Sequence, residues 1–186
     1  LNFGNLAGFL AANPDDTLGL IGMILVISGV AFKVGAFPFQ IWIPDVYQGA
    51  PLPTTALLAV SSKAAGFAML LSFSKVFSAL EDWFYPLLTA LAILTILFGN
   101  FAALTQRNLK RVIGLSGVSH AGFLLIGVIT ARTVDWASIA ILFYLFAYLL
   151  ASAAVFSVLV HLNKDDDSDL TLDDLGDLAK KNGFLG

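Results

Sequence analysis

The sequence contains no cysteine, only two histidines and little charge. Without cysteine the chain can form no disulfide, thiolate metal site, cysteine-ligated iron–sulfur cluster or cysteine nucleophile. Two histidines leave no His-rich metal or haem site. Charged residues are 12% of the 186, about half the share of a typical soluble domain. There is no basic excess: the net charge is −3, which argues against nucleic acid as a partner. No phosphate-cradling glycine loop, nucleophile elbow or metal-ligand spacing occurs. No basic stretch followed by a short apolar run opens the sequence, so no signal peptide is expected within it. The first residue is Leu1, and we expect an internal piece of a longer membrane protein. What is abundant is apolar surface: 58% hydrophobic residues and a mean hydropathy of +0.86. An ordinary soluble enzyme and a disordered chain are both excluded.

Five stretches are long and apolar enough to cross a bilayer, which takes roughly 20 residues each. They lie at about 17–37, 54–74, 85–105, 111–131 and 136–162. The fold expected is all-α, a polytopic transmembrane helix bundle. The first stretch is interrupted near its end by Lys33, Gly35 and Pro38. The connection 38–53 carries Pro38, Pro44, Pro51 and Pro53 and cannot be one continuous helix. Connections 38–53, 105–111 and 163–183 fall on one side, with Arg107, Lys110, Arg111, Lys164, Lys180 and Lys181. The other side has Lys75 and Arg132. The positive-inside rule makes the first group cytoplasmic and the N-terminus of the chain external. The acidic run 163–183 counts little in that rule. Its Leu170, Leu172, Leu175 and Leu178 suggest a short amphipathic helix that lies on the membrane or docks on a partner.

Lys63 is the sharpest chemical signal. It lies mid-span in ALLAVSSKAAGFAMLL, where a lysine costs roughly 2.5–3.5 kcal/mol on insertion scales. Such a depth makes snorkelling poor, and desolvation disfavours the charged amine. A group in that position can load and release a proton; the alternative is a structural lysine paired with an acid on a neighbouring helix. Lys33 precedes Gly35 and Pro38 in VAFKVGAFPF. Pro38 removes a backbone donor and blocks the carbonyl of Val34. Freed backbone at membrane depth is tolerated against protein or a wet cavity, so Lys33 marks either an ion-accessible site or a snorkelling end. Ser116, Ser119 and His120 share a helix face by their spacing, fit for an ordered water chain or for helix–helix hydrogen bonds. Lys110 and Arg111 open the same span, where such residues are usually anchors. Tyr144 and Tyr148 also share a face, more in keeping with packing than with chemistry. Asp45 suits a helix cap or a counter-charge to Lys33, and His161 an interfacial structural role.

These residues resemble a known family. FKVGAFPFQIWIPDVYQGAPLPTTALLAVSSKAAGFA (32–68) is similar to the core signature of the antiporter-like membrane subunits of respiratory complex I. PDVYQGAP followed by SKAAGFA resembles the subunit N branch. QRNLKRVIGLSGVSHAGFLLIGV (106–128) and YLFAYLLASAAVFSVL (144–159) resemble further blocks. The resemblance implies part of the second of two inverted repeats, with the five spans as the seventh to eleventh core helices. It implies proton-handling roles for Lys33 in the broken helix and for Lys63, with Lys110 at a further basic position. The glutamate that partners the seventh-helix lysine would lie upstream, and a second broken helix downstream. Two positions depart from the pattern: Gln40 stands where a His is common, and Leu115 where an aromatic is frequent. Gln40 cannot titrate, which leaves it a water-ordering role.

The resemblance further implies a proton-translocating subunit of a bacterial inner-membrane NADH–quinone oxidoreductase. In that reading protons exchange between Lys33 and Lys63 through water, past Ser116, Ser119 and His120. No cofactor is expected on this chain; NADH, flavin, Fe–S clusters and quinone would belong to other subunits. The expected partners are other membrane subunits of complex I, sister antiporter-like subunits among them, and the lipid bilayer. A cation/proton antiporter subunit, a membrane-bound hydrogenase relative and a purely structural membrane anchor are the rival readings.

Overall fold

The computed structural model describes residues 2–162 and 170–172. Among the described residues seven α-helices follow one another: α1 Phe3–Ala12, α2 Thr17–Val34, α3 Trp42–Gly49, α4 Leu52–Val76, α5 Glu81–Leu104, α6 Leu109–Thr130 and α7 Ala137–Leu162. Short 3-10 helices at Phe39–Ile41 and Phe77–Leu80 precede α3 and α5. Among the described residues there is no strand, only an isolated bridge between Asn108 and Thr171. The expected stretches at 17–37, 54–74, 85–105, 111–131 and 136–162 overlie α2, α4, α5, α6 and α7. By length and composition four apolar stretches can cross a membrane, and the second, Leu52–Leu104, is 53 residues long. That is over twice one crossing, and the 3-10 helix Phe77–Leu80 divides it into α4 and α5.

Local chemistry sets the helix ends. Asp16 accepts from Gly19 N–H at 2.9 Å to start α2, and Asn108 accepts from Arg111 N–H at 3.2 Å to start α6. Pro53 falls in the first turn of α4, where a missing N–H is no loss. Gly35 ends α2 in the left-handed conformation, φ 77°. Its N–H donates to Phe32 O, and Ala36 N–H to Ala31 O at 2.8 Å, closing the helix as such caps do. The side chain of Ile43 occupies the space a Cβ at this glycine would take. The chain then passes Pro38 and the 3-10 helix into α3, so the interrupted helix is α2, a break at 35–38, and α3.

Two backbone groups at the break find side chains of other elements. Phe37 N–H donates to Thr95 Oγ1 of α5 at 3.0 Å, and Thr95 in turn donates to Leu91 O. Trp42 Nε1 donates to Phe32 O at 3.3 Å. Thr95 is fully buried. The break therefore has fixed partners rather than a frayed end, as membrane depth requires.

The core runs between the long helices. Met23, Ile27 and Val30 of α2, Phe67 and Leu70 of α4, Leu88 and Ala92 of α5 and Leu124 and Val128 of α6 form one buried cluster. A second cluster joins Ile43 and Tyr47 of α3, Ala59 of α4, Val118 of α6 and Phe156 of α7, with Leu170. Helices α5 and α6 touch backbone to backbone: a Cβ at Gly99 would lie 2.7 Å from Ser119 N, and one at Gly122 3.1 Å from Ala92 O. Small residues permit this approach, the usual device of helix pairs in membranes.

Leu170 does not lie on a surface. It is buried in the chain's own second cluster, while Leu172 is exposed. Leu109 N–H donates to Leu170 O at 2.8 Å and Leu172 N–H to Arg107 O at 3.2 Å. Leu175, Leu178, the acidic residues from Asp165 to Asp169 and from Asp173 to Asp177, Lys164, Lys180, Lys181 and the side chain of His161 lie outside the described residues.

Candidate functional site

Lys63 sits in the middle of α4 with 1% of its surface exposed. Its amine lies over the ring of Tyr148 of α7, 5.7 Å from the centroid, a distance at which the ring face attracts a cation. It also reaches α6 at Gly117, where a Cβ would stand 3.2 Å from Nζ and 2.9 Å from the Tyr148 hydroxyl. Glycine at 117 is thus what leaves room for both groups. Among the described residues no carboxylate pairs with Lys63; the carboxylates in ion pairs are Asp45 with Arg111 and Glu81 with Arg132. The acids between residues 17 and 162 are Asp45, Glu81, Asp82 and Asp135, all at helix termini or in connections. Among the described residues, the alternative of a structural lysine paired to a neighbouring acid finds no carboxylate at Lys63.

His120 and the two tyrosines complete the cluster. His120 Nδ1 and the Tyr144 hydroxyl are 2.5 Å apart, and the His120 ring is 5.1 Å from that of Tyr148. Ser116, His120, Tyr144, Tyr148 and Ser152 line a cavity of about 480 Å3 between α6 and α7 whose remaining walls are apolar. An apolar cleft with a few convergent polar groups is the ordinary form of a small-molecule or water site. Lys63 is not among its lining residues. A protonated amine, an imidazole and two phenols in such proximity can pass a proton by short steps, given water to connect them.

The other expected residues distribute as follows. Ser119 is buried and its backbone nitrogen faces Gly99 of α5, so the Ser116, Ser119, His120 stripe is divided and only Ser116 and His120 meet the cavity. Lys33 is exposed and lines a separate cavity of about 440 Å3 between α2 and α4, beside Gly29, Val30 and Gly66. Lys33 and Lys63 thus face different spaces. Gln40 is buried at the helix break, and its Oε1 has no hydrogen-bond partner among the described residues. Lys110 is fully buried, and its amine donates to Ala50 O at 2.8 Å, at the C-terminal end of α3. Arg111 donates to Gln48 Oε1 and pairs with Asp45, each at 2.8 Å. Asp45 therefore serves Arg111, not Lys33. Leu115 is buried in the core of α6.

Sequence reasoning undervalued Tyr144 and Tyr148, whose spacing reads as packing, and it missed Gly117 and Thr95. Gly117 stands in SGVSHAG, where a glycine three residues before a histidine is a weak signal. Thr95 carries none, because its partner is 58 residues away.

Comparison with known proteins now decides the family. The chain matches, over residues 1–185, the model of the transmembrane family described as NADH:quinone oxidoreductase/Mrp antiporter. It belongs to this family. A relative from Opitutus terrae, an NADH-quinone oxidoreductase subunit N 1, is 62% identical over 186 residues, covering the whole chain and 37% of the relative. An NADH-quinone oxidoreductase subunit N from Laribacter hongkongensis is 39% identical over 178 residues, 94% of this chain and 36% of that protein. The chain thus spans little more than a third of the curated relatives it matches. Among solved structures, respiratory complex I from Thermus thermophilus with bound aureothin contains a similar chain. The TM-score is 0.76 at 31% identity, over 98% of this chain and 41% of that one. The fold is accordingly the all-α, antiporter-like membrane fold with an interrupted helix, and the protein is a multi-pass membrane protein of this family.

No cysteine is available to hold an iron–sulfur cluster, and among the described residues no three His, Cys, Asp or Glu side chains gather as a metal site would need.

Proposed function

We propose that this chain is part of the subunit N of a proton-translocating NADH–quinone oxidoreductase and that Lys63 is a proton-carrying group in it. The observation that carries the reading is a mid-helix lysine, buried with no carboxylate partner among the described residues, beside Tyr148 and the pair of His120 and Tyr144 that border a cavity. A membrane-embedded ionisable group without a structural partner is by default a functional one. The subunit names of the relatives support the assignment, and the chain moves protons, not electrons. NADH, flavin, Fe–S clusters and quinone would be held by other subunits of the complex, and sister antiporter-like subunits would be its membrane neighbours. Ser116 and His120 line the route on the α6/α7 side. Lys33 faces a second cavity, across α4 from the first, where the upstream part of the protein would supply its acidic partner.

Five crossings follow when Leu52–Leu104 is taken as two. Connections 38–53, 105–111 and 163–183 then face the cytoplasm in a bacterial inner membrane.

The test is proton pumping per NADH oxidised in proteoliposomes, with Lys63→Ala in the intact parent complex. Pumping is expected to fall at least severalfold while assembly holds. Lys63→Arg keeps a charge that cannot be given up at working pH, so it is expected to assemble and pump poorly as well. Normal pumping in both variants would overturn the reading in favour of a structural anchor.

A further inference from the structure

The cavity between α6 and α7 and the amine of Lys63 are close neighbours that do not meet. Ser116, His120, Tyr144, Tyr148 and Ser152 border the cavity, and Lys63 does not. One side chain belongs to both surroundings: Tyr148 lines the cavity and also covers the Lys63 amine with its ring. The Tyr148 hydroxyl and the Lys63 amine approach the same point, the bare Cα of Gly117. Ser152, one helical turn further along α7, is the polar neighbour of that hydroxyl on the cavity side.

We infer that the Tyr148 ring is a gate that separates the Lys63 amine from the α6/α7 cavity, and that proton exchange between Lys63 and water in that cavity requires the ring to swing aside. The inference rests on the proton-carrying reading of Lys63 for its purpose, but the shielding itself is a matter of geometry. A tyrosine suits this position. Its ring face holds the ammonium in place while it is charged, and the hold weakens when the amine gives up its proton. Its hydroxyl keeps a polar group toward the cavity in the closed arrangement. Gly117 completes the device. A side chain there would meet both the amine and the hydroxyl and fix the ring.

The test reads the accessibility of one amine. Isocyanic acid is small and neutral; the lysine nitrogen adds to its carbon and one proton shifts between nitrogens, giving a urea. The intact parent complex is treated with cyanate, and carbamylation of Lys63 is followed by mass spectrometry. Lys75, exposed at the end of α4, is the internal standard. In the unaltered protein Lys63 is expected to react at least tenfold more slowly than Lys75. Tyr148→Ala is expected to raise the Lys63 rate about tenfold, while Lys75 stays unchanged. Tyr148→Phe retains the ring and is expected to stay within about twofold of the unaltered protein. Should Tyr148→Ala fail to assemble, Tyr148→Leu, which lacks a planar shield, is read in the same way. No rise at Lys63 in the variant that assembles, or an equal rise in Tyr148→Phe, would overturn the gate. The pumping test on Lys63→Ala is independent of this rate, so either result can fail without the other.

Discussion

At the residue scale, Thr95 shows how one hydroxyl can secure a break in a membrane helix. It accepts from Phe37 N–H and donates to Leu91 O, and it is fully buried. Thr95→Val keeps the shape and leaves the part-buried Phe37 N–H without this partner, a loss of about 1 kcal/mol. Thr95→Ser keeps the hydroxyl and is expected to recover most of it. Thermal unfolding of the full-length subunit in detergent measures both. A valine variant as stable as the original would mean that the break is held by packing alone. The cluster around Lys63 obeys the same logic of room and partners. Alanine at 117 would place a methyl group 2.9 Å from the Tyr148 hydroxyl and 3.2 Å from the Lys63 amine. Both distances are closer than such groups pack without shifting, so the methyl group would displace the site.

At the element scale, α3 is the piece that follows the break, and its position depends on the first turn of α6. Lys110 donates to Ala50 O just past the α3 end, and Arg111 reaches Gln48 and Asp45. Gly114 lets Ile43 and Tyr47 pack against α6. These bonds differ in worth. The Asp45 side chain is 71% exposed, so Asp45→Ala is expected to change stability by less than about 1 kcal/mol. Lys110 is buried, and Lys110→Met removes a charged hydrogen bond worth about 1.5–3 kcal/mol. Hydrogen exchange across residues 42–50 in the full-length protein reads the difference. Faster exchange is expected in Lys110→Met and little change in Asp45→Ala; equal protection in both would show that the Lys110 bond does not hold α3. The helices themselves were legible in the apolar runs, and the break in Gly35 and Pro38, because those signals are local. The bond from Lys110 to Ala50 O was not legible, because a backbone carbonyl has no sequence signature. The division of the Ser116, Ser119, His120 stripe was not legible either. Helical spacing places residues on a common arc, but the width of that arc exceeds one neighbour, so α5 takes Ser119 and the α7 side takes the other two.

At the scale of the whole molecule, the connections sort into two ends. Lys110 with Ala50, Arg111 with Asp45 and Leu109 with Leu170 bring connections 38–53, 105–111 and the start of the acidic segment together. Arg132 with Glu81, at 2.9 Å, joins the connections between α4 and α5 and between α6 and α7. Between the ends the outer surface stays apolar, with Phe101 of α5 and Leu142, Phe143 and Phe146 of α7 all exposed, as contact with lipid or other apolar helices requires. This grouping is the one expected from the alternation of the apolar stretches, and the Lys and Arg count adds an expected direction: the end carrying Arg107, Lys110 and Arg111 would face the cytoplasm. The absence of cysteine from these 186 residues makes the direction simple to measure. Ser78→Cys and Thr105→Cys place single thiols at exposed positions on the two ends. With the rest of the protein cysteine-free, a membrane-impermeant maleimide is expected to label Ser78→Cys in right-side-out vesicles and Thr105→Cys in inverted ones. The reverse result would keep the grouping and turn the molecule over, placing Lys110 and the α3 end on the outer side. Labelling of both from one side would break the grouping itself and with it the five-crossing arrangement, because α5 would then fail to carry the chain from one face of the membrane to the other.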